Sequence, residues 1–376
     1  LPSEPHIFHG RESELADILK LLSQGTPRVA ILGAGGMGKT SLARAVLHHT
    51  EVTTKYQQNR FFVTCDTVST KVELAGLTGA HLGLKPGKDL SRAVLQHFSS
   101  LPPTLLILNN LETVWEPVES RKEVENFLSL LTDVTSLAFM ITMRGAERPE
   151  KVQWTRPFIL PLQPLTQNAA RNMFIDIADD QHSMEEVDQI LDLSANMPLA
   201  ITLLAHLVDV EGCSNILSRW EEEKTSVISD GYDRRSNLEL SILFSLTSPR
   251  ITLVNGAQDL LSLLSMLPDG LTDAELKQSR FTIKDILSCK TALLRTALAY
   301  TDDHKRLKAL VPIRDYMLKN LPPTDQMSRP LRKHFRELLE LYDSDHGKQS
   351  TAFLVDRLTL NYTNIQNMLQ SAFDKG

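Results

Sequence analysis

Short apolar runs alternate with amphipathic segments along the first half of the chain. Four of the runs have the length and composition of buried strands, whereas the segments between them repeat their apolar residues with the period of a helix. This alternation predicts an α/β domain over residues 1–157, in which helices cover the faces of a parallel sheet. The predicted strands are 29–32, 60–65, 104–108 and 137–142.

The hydrophobic period becomes helical from about Thr166 onward. A capping box at Ser183–Glu186 predicts the start of one helix, because the serine hydroxyl and the glutamate carboxylate each accept from an unpaired N–H there. Pro198 suits the first turn of another helix, since it has no N–H to leave unpaired. The stretch 209–231 is mostly polar and is expected at the surface. These features predict an α-helical subdomain over residues 158–250.

The remaining residues divide into two further regions. Within 251–322, one helix stops at Pro268, a second starts at the capping box Thr272–Glu275, and a third is followed by a hairpin. Three helices and a hairpin are the order of a winged-helix domain. Residues 323–376 contain two amphipathic helical stretches around a polar break at 343–350. Since two helices cannot bury an apolar face alone, we interpret them as the possible start of a helical repeat array.

One motif carries clear chemistry. Residues Gly33–Thr40 match G-x-x-x-x-G-K-[ST] at every fixed position, directly after an apolar strand and before a helix. Glycine lets successive backbone N–H groups turn toward phosphate oxygens, and the N-terminus of the helix attracts the same anion. Lys39 is predicted to bind the β- and γ-phosphates of a nucleotide, and the Thr40 hydroxyl to bind Mg²⁺. The predicted nucleotide contacts in this P-loop are Gly33, Gly35, Gly36, Met37, Gly38, Lys39, Thr40 and Ser41.

The set of residues for hydrolysis differs from the usual set of a P-loop NTPase. The third strand is followed by Asn109, where a P-loop NTPase normally places the aspartate that holds Mg²⁺. Glu112 either orients or deprotonates the attacking water, or is a solvated residue at a helix start. Arg144 follows the fourth strand and is predicted to contact the γ-phosphate, with a surface position as the alternative. Lys39, Glu112 and Arg144 are thus the predicted catalytic residues, and Thr40 and Asn109 are the predicted metal ligands.

Composition narrows the classes of function. The 376 residues carry a net charge of −6 with a pI of about 6.0, so no general attraction to nucleic acid is expected. The three cysteines are far apart and are expected to be reduced, mostly buried thiols of an intracellular protein. No apolar run approaches the ~20 residues needed to span a bilayer, so a cytoplasmic location without membrane contact is expected.

Three other functions agree with part of the sequence. A winged helix can bind DNA, and the cations available there are Lys277, Arg280, Lys284 and Lys290, but acidic residues lie between them. A small-molecule kinase would need an arginine-rich lid, whereas the arginines here are scattered. A pseudo-ATPase scaffold would bind nucleotide for structure only, and it differs from a slow ATPase solely in whether the nucleotide turns over.

With these motifs in order, the sequence resembles the NB-ARC group of STAND ATPases, including fungal NLR-like proteins, over roughly residues 5–320. The segments that carry the resemblance are Phe8–Glu12 (FHGRE), the P-loop, Leu105–Trp115 (LLILNNLETVW), Thr142–Arg144, 160–165, Met197–Ala200 (MPLA), 262–276 and Ile313–Tyr316.

The resemblance implies a signalling switch of the kind found in plant resistance proteins and apoptotic activators. In such a switch, Phe8 lies near the adenine and Pro198 near the adenine or ribose. ADP holds a closed monomer, and ATP favours an open form that self-associates, with slow hydrolysis as the reset. An N-terminal effector domain and a C-terminal repeat sensor are expected outside the chain.

The sequence departs from the family pattern at three points. Asn109 replaces the metal-holding aspartate, and Asn196 replaces the glycine before Met197. A histidine that would contact the ADP β-phosphate is missing near residues 310–312. The first departure affects hydrolysis, and the third leaves open how ADP would lock the closed form.

Overall fold

The computed structural model describes residues 1–85, 87, 89–179, 181–223, 225, 238–344 and 351–373. These residues form two compact units. The first contains residues 1–191 and 196–210, and the second contains residues 192–195 and 211–376.

The first unit is built on a parallel sheet of four strands, β1 Arg28–Gly33, β2 Arg60–Thr64, β3 Thr104–Asn109 and β4 Leu137–Arg144. The strand order is β1-β4-β3-β2. The central strands β3 and β4 are buried along their whole length, as expected for strands covered by helices on both faces. The α/β class and the four predicted strands are therefore confirmed.

Helices connect the strands and pack on the sheet. Phe98, Trp115, Phe127 and Phe139 belong to one buried cluster that includes alternate residues of the strands. The helices are α1 Glu12–Ser23, α2 Lys39–His48, α3 Thr50–Tyr56, α4 Lys71–His81, α5 Leu90–Ser100, α6 Glu112–Trp115, α7 Val118–Thr132, α8 Gln167–Ala178, α9 Met184–Ser194 and α10 Pro198–Glu211.

The segment after β4 runs along the free side of β1. The N–H of Thr155 donates to the carbonyl of Arg28 at 3.0 Å, and the N–H of Leu162 donates to the carbonyl of Leu32 at 2.8 Å. Leu162 also forms a parallel bridge with Gly33. Gly33, the first residue of the P-loop, is therefore held between β4 and this segment.

The second unit is mainly helical. The predicted order of three helices and a hairpin is present as the helices Ala257–Ser265, Asp273–Gln278 and Ile286–Arg295 and the hairpin of Tyr300–Thr301 with Leu307–Lys308. Leu271 forms a further antiparallel bridge with Leu307. Its elements are α11 Cys213–Glu223, α12 Leu238–Leu246, α13 Pro249–Thr252, α14 Ala257–Ser265, α15 Asp273–Gln278, α16 Ile286–Arg295, β5 Tyr300–Thr301, β6 Leu307–Lys308, α17 Val311–Asn320, α18 Asp325–Ser344, α19 Thr351–Thr359 and α20 Tyr362–Phe373.

One expectation for these regions was incomplete and one was wrong. Much of the polar stretch 209–231 is helix α11, which is largely exposed as expected but buries Ile216 and Trp220 on one face, and residues 224 and 226–231 lie outside the described residues. The described part of the C-terminal region has three helices rather than two, because α19 ends at Thr359 and α20 starts at Tyr362. Most of its predicted polar break, residues 345–350, also lies outside the described part of the chain.

A buried polar network joins α15, the hairpin and α20. The carboxylate of Glu275 accepts from the N–H of Thr272 at 2.8 Å, which confirms the predicted capping box, and from the amide of Asn361 at 2.7 Å. Arg306 lies 3.3 Å from the same carboxylate and donates to the side-chain oxygen of Asn361 at 2.6 Å. Because each charge has a partner of opposite sign, this network is satisfied internally.

All three cysteines are buried free thiols, as expected. Among the described residues, no single helix is long and apolar enough to cross a membrane, although α10 and the adjoining 213–222, bent by 119°, pass that test as a pair.

Candidate nucleotide-binding site

The P-loop has the backbone geometry that its glycines permit. Gly36 and Gly38 have φ values of 79° and 83°, which lie in the left-handed region that other residues rarely adopt. A β-carbon at Gly36 would also lie 2.9 Å from the β-carbon of Leu199, so a side chain has no room there. The loop then enters α2 directly at Lys39, which places a helix N-terminus beside it.

Lys39 is buried, with only 6% of its surface exposed. Its ammonium donates to the carbonyl oxygens of Gly33 at 2.9 Å and Ala34 at 2.6 Å. A buried ammonium held inside a phosphate loop can bind an anion with little solvent screening. The predicted phosphate contact by Lys39 is consistent with this position and stays a prediction.

Asn109 lies at the end of β3 and is fully buried. Its side-chain oxygen accepts from the hydroxyl of Thr40 at 2.9 Å and from the hydroxyl of Thr142 at 2.8 Å. Its amide nitrogen has no hydrogen-bond partner among the described residues. A carboxylate would present acceptors at both positions, so this buried nitrogen lies where a charged metal ligand would present an oxygen.

Glu112 and Arg144 lie together at the same edge of the sheet, and both are buried. One oxygen of Glu112 accepts from the backbone N–H of Arg144 at 3.3 Å, and the other lies 3.4 Å from the guanidinium Nε. In the strand register, Arg144 is the partner of Gly33. The alternatives of a solvated Glu112 and a surface Arg144 are therefore wrong, because both side chains are withdrawn from water beside the P-loop.

Arg11 is a site residue that sequence reasoning missed. Its guanidinium donates to the carbonyl of Met37 in the P-loop at 3.3 Å and to the carbonyl of Gln163 at 2.6 Å. Burial lowers the pKa of Arg11, against the opposing charge of Glu14. The arginine of the FHGRE motif thus ties the loop to the segment after the sheet, a role that only the three-dimensional contact reveals.

The MPLA segment packs against the P-loop. The N–H of Leu199 donates to the carbonyl of Gly36 at 3.1 Å, and a β-carbon at Gly38 would lie 3.9 Å from Pro198. Asn196 has a φ of 53°, which explains how asparagine replaces the expected glycine, since it tolerates the left-handed region better than most residues. Phe8 is half-buried, and its predicted place near the base remains a prediction.

The predicted phosphate-binding residues fit a nucleotide, whereas the predicted metal ligands fit Mg²⁺ only in part. Thr40 and Asn109 supply two neutral oxygens, and the carboxylate of Glu112 is already engaged with Arg144. Asp66 accepts from the side chain of Asn110 at 2.8 Å. Across the described residues, no cluster of three or more His, Cys, Asp or Glu side chains forms a metal site. Mg²⁺ would therefore be held chiefly by the nucleotide phosphates.

The sheet, its strand order and the P-loop define an α/β P-loop nucleotide-binding protein. The family described as Novel STAND NTPase 1 matches residues 2–233, which is more than half of the chain. The chain belongs to this family of STAND nucleoside triphosphatases. A comparison with curated protein sequences gave no match.

Solved structures are similar to this chain at low sequence identity. A Walker-type ATPase of Pyrococcus abyssi is 11% identical with a TM-score of 0.58, over 83% of this chain and 96% of that one. The Orc1 protein of Aeropyrum pernix in complex with DNA is 14% identical with a TM-score of 0.47, over 88% and 97% of the two chains. The RuvB Holliday junction branch migration motor of Thermotoga maritima is 15% identical with a TM-score of 0.44, over 88% and 98%.

Proposed function

We propose that the chain is a nucleotide-dependent signalling switch of NB-ARC type that distinguishes ADP from ATP with Mg²⁺. The observation that carries this proposal is the buried pair of Arg144 and Glu112 beside Gly33. A buried arginine in contact with one carboxylate is a detector of a second anion, because phosphate and carboxylate compete for the same guanidinium.

ADP and ATP would each favour a different arrangement of the Arg144 and Glu112 side chains. With ADP bound, Arg144 keeps its contact with Glu112. With ATP bound, the γ-phosphate accepts part of the hydrogen bonding of the Arg144 guanidinium in place of Glu112. A ligand shifts an equilibrium only by its differential affinity for the two states, and here Arg144 supplies the difference. The state favoured by ATP would be the form that self-associates.

Slow hydrolysis completes the proposed cycle. Thr40 and Asn109 would bind Mg²⁺ through neutral oxygens, and Glu112, once Arg144 turns to the phosphate, would orient water. The buried unpartnered amide of Asn109 favours one second candidate, a pseudo-ATPase that binds nucleotide without turnover. Single-turnover hydrolysis separates the two.

The proposed domain boundaries are the ones predicted from the sequence. The switch consists of the sheet domain 1–157, the helical subdomain 158–250 and a winged-helix domain 251–322. Helices from 323 onward begin a repeat sensor. The order of α14, α15, α16 and the β5–β6 hairpin supports the winged helix, as does the single antiparallel bridge between Leu271 and Leu307 beside that two-stranded sheet. Effector output and a place in innate immunity are inferred from the NB-ARC resemblance alone.

The test compares nucleotide affinities by calorimetry. In the unmodified chain, we expect ADP and ATP to bind at one site and released nucleotide from the purified protein to be ADP. Arg144→Ala should weaken the binding of ATP more than the binding of ADP, by about tenfold, because one charge-assisted contact is lost. Arg148→Ala is the matched control, since Arg148 donates to the carbonyl of Ile159. An equal loss of affinity for ADP and for ATP in Arg144→Ala would contradict the proposal.

A further inference from the structure

The second unit contains a pocket that the nucleotide site does not explain. It lies between the end of α15, one face of α18 and α19, with a volume of about 510 Å³. That volume is within the range of small-molecule sites, roughly 300–1,000 Å³. The polar and charged residues that line it are Gln278, Ser279, Arg280, Arg329, Lys333, His334, Glu337 and Arg357.

The charged residues that line this pocket are mostly positive. Arg280, Arg329, Lys333 and Arg357 line it together with one carboxylate, Glu337, although the chain as a whole is acidic. Glu337 lies 3.7 Å from Lys333 one turn away, and both side chains are more than half exposed, so this ion pair is weak. The remaining cations line one cavity from three segments, with Arg280 in the turn after α15, Arg329 on α18 and Arg357 on α19.

A second observation points independently to a ligand. His334 is 8% exposed and lines the pocket, and its Nε2 atom has no hydrogen-bond partner among the described residues. A buried polar atom without a partner costs free energy unless something satisfies it. Because the ring lines the cavity, a change of its side-chain torsion would let a proton on Nε2 donate to an oxygen atom that enters between the surrounding cations.

We infer that this cavity binds a small, multiply phosphorylated anion. Guanidinium groups bind phosphate oxygens in pairs, and several of them around one cavity match several phosphates better than a single carboxylate. Access to a buried imidazole requires a compact ligand. An extended nucleic-acid backbone would contact only the exposed arginines and would leave Nε2 of His334 without a partner.

Titration calorimetry of the full chain with inorganic tripolyphosphate tests the inference. The titration uses the Lys39→Ala background, so that binding at the P-loop does not contribute, and sodium sulfate at equal ionic strength is the reference anion. We expect one site, weakened by about tenfold in Arg329→Ala and further in Arg329→Ala/Lys333→Ala, as for the loss of charge-assisted hydrogen bonds. Both residues are exposed, so their replacement should leave the fold intact.

Arg336→Ala is the matched control, because Arg336 lies on the same helix, pairs with Glu340 and does not line the pocket. His334→Asn, with its thermal unfolding measured in parallel, tests the buried donor. Absence of binding, affinity unchanged in the Arg329 variants, or an equal loss in Arg336→Ala overturns the inference. So does binding of a single-stranded oligonucleotide without binding of tripolyphosphate.

Discussion

The ammonium of Lys39 lies 2.6 Å from the carbonyl oxygen of Ala34, within the loop that the lysine itself closes. The loop therefore holds its own cation in place through backbone oxygens. A phosphate that binds here takes over part of this hydrogen bonding, and the loop has little reorganisation to complete because the glycines already set its backbone.

The first prediction concerns this lysine. Lys39→Ala should abolish tight binding of both ADP and ATP, because it removes the buried charge that faces the phosphates. Isothermal titration measures the effect. Lys55→Ala is the control, since Lys55 lies at the exposed end of α3 and donates to the carbonyl of Leu22. Unchanged nucleotide affinity in Lys39→Ala would refute the site assignment.

A second prediction concerns the metal. Asn109→Asp replaces the unpartnered amide nitrogen with a charged oxygen beside the Thr40 hydroxyl. We expect the rate of Mg²⁺-dependent hydrolysis to rise by tenfold or more, which corresponds to about 1.4 kcal/mol of barrier. Single-turnover assays over a range of Mg²⁺ concentrations measure it, with EDTA as the blank. A flat rate would show that the metal-holding carboxylate belongs elsewhere.

The third prediction separates the two roles of Glu112. Glu112→Gln keeps the shape but removes the buried charge opposite Arg144, so the chain without nucleotide should lose about 3 kcal/mol of stability. ATP should then restore more stability than ADP, because the γ-phosphate replaces the missing charge. Thermal unfolding with each nucleotide measures the difference. Glu119→Gln, at an exposed position of α7, is the control, and equal restoration by ADP would argue against the competition between Glu112 and phosphate.

The fourth prediction concerns pH. Burial alone would raise the pKa of Glu275, but hydrogen bonds from Thr272 and Asn361 and the charge of Arg306 lower it below the ordinary value of 4.5. Since the folded pKa is lowered, the stabilisation is complete above about pH 4.5 and is lost as pH falls through the folded pKa. Glu275→Gln should therefore cost about 3 kcal/mol at pH 7.

Denaturant unfolding at several pH values checks this result. The difference between Glu275→Gln and the unmodified chain should shrink toward zero in acid, where the native carboxyl is also neutral. Asp273→Asn, in the same turn but half exposed, is the control. A pH-independent difference would show that packing rather than charge accounts for the loss.

Much of the sheet domain was predictable because its strands and its P-loop leave local patterns in the sequence, although the strands themselves pair over long distances, as Arg28 does with Phe139. The strands follow from apolar runs, and the P-loop follows from glycines whose positive φ is a local requirement. The burial of Glu112 was not predictable, since a glutamate at a helix start has the same local pattern whether or not an arginine from another strand covers it. Arg11 and the pocket around His334 depend likewise on residues that are distant in the chain.

Helix α11 also shows that the burial of a residue depends on partners that are distant in the chain. Its sequence is polar enough to suggest a surface stretch, yet Trp220 is buried and its indole N–H donates to Asp315 at 3.2 Å. A few large apolar residues are sufficient to bury one face of a helix when a partner lies opposite. The partner cannot be recognised from the helix alone.

The network of Glu275, Arg306 and Asn361 has a consequence for how this chain can be cut and recombined. Its members come from the first turn of α15, the hairpin and the residue before α20, and removal of any one takes away at least one contact of a buried charged or amide group. A chimaera that exchanges the hairpin between homologues, or a truncation before Asn361, breaks the set. These segments are therefore expected to be inherited as one block, even though more than eighty residues separate the first from the last.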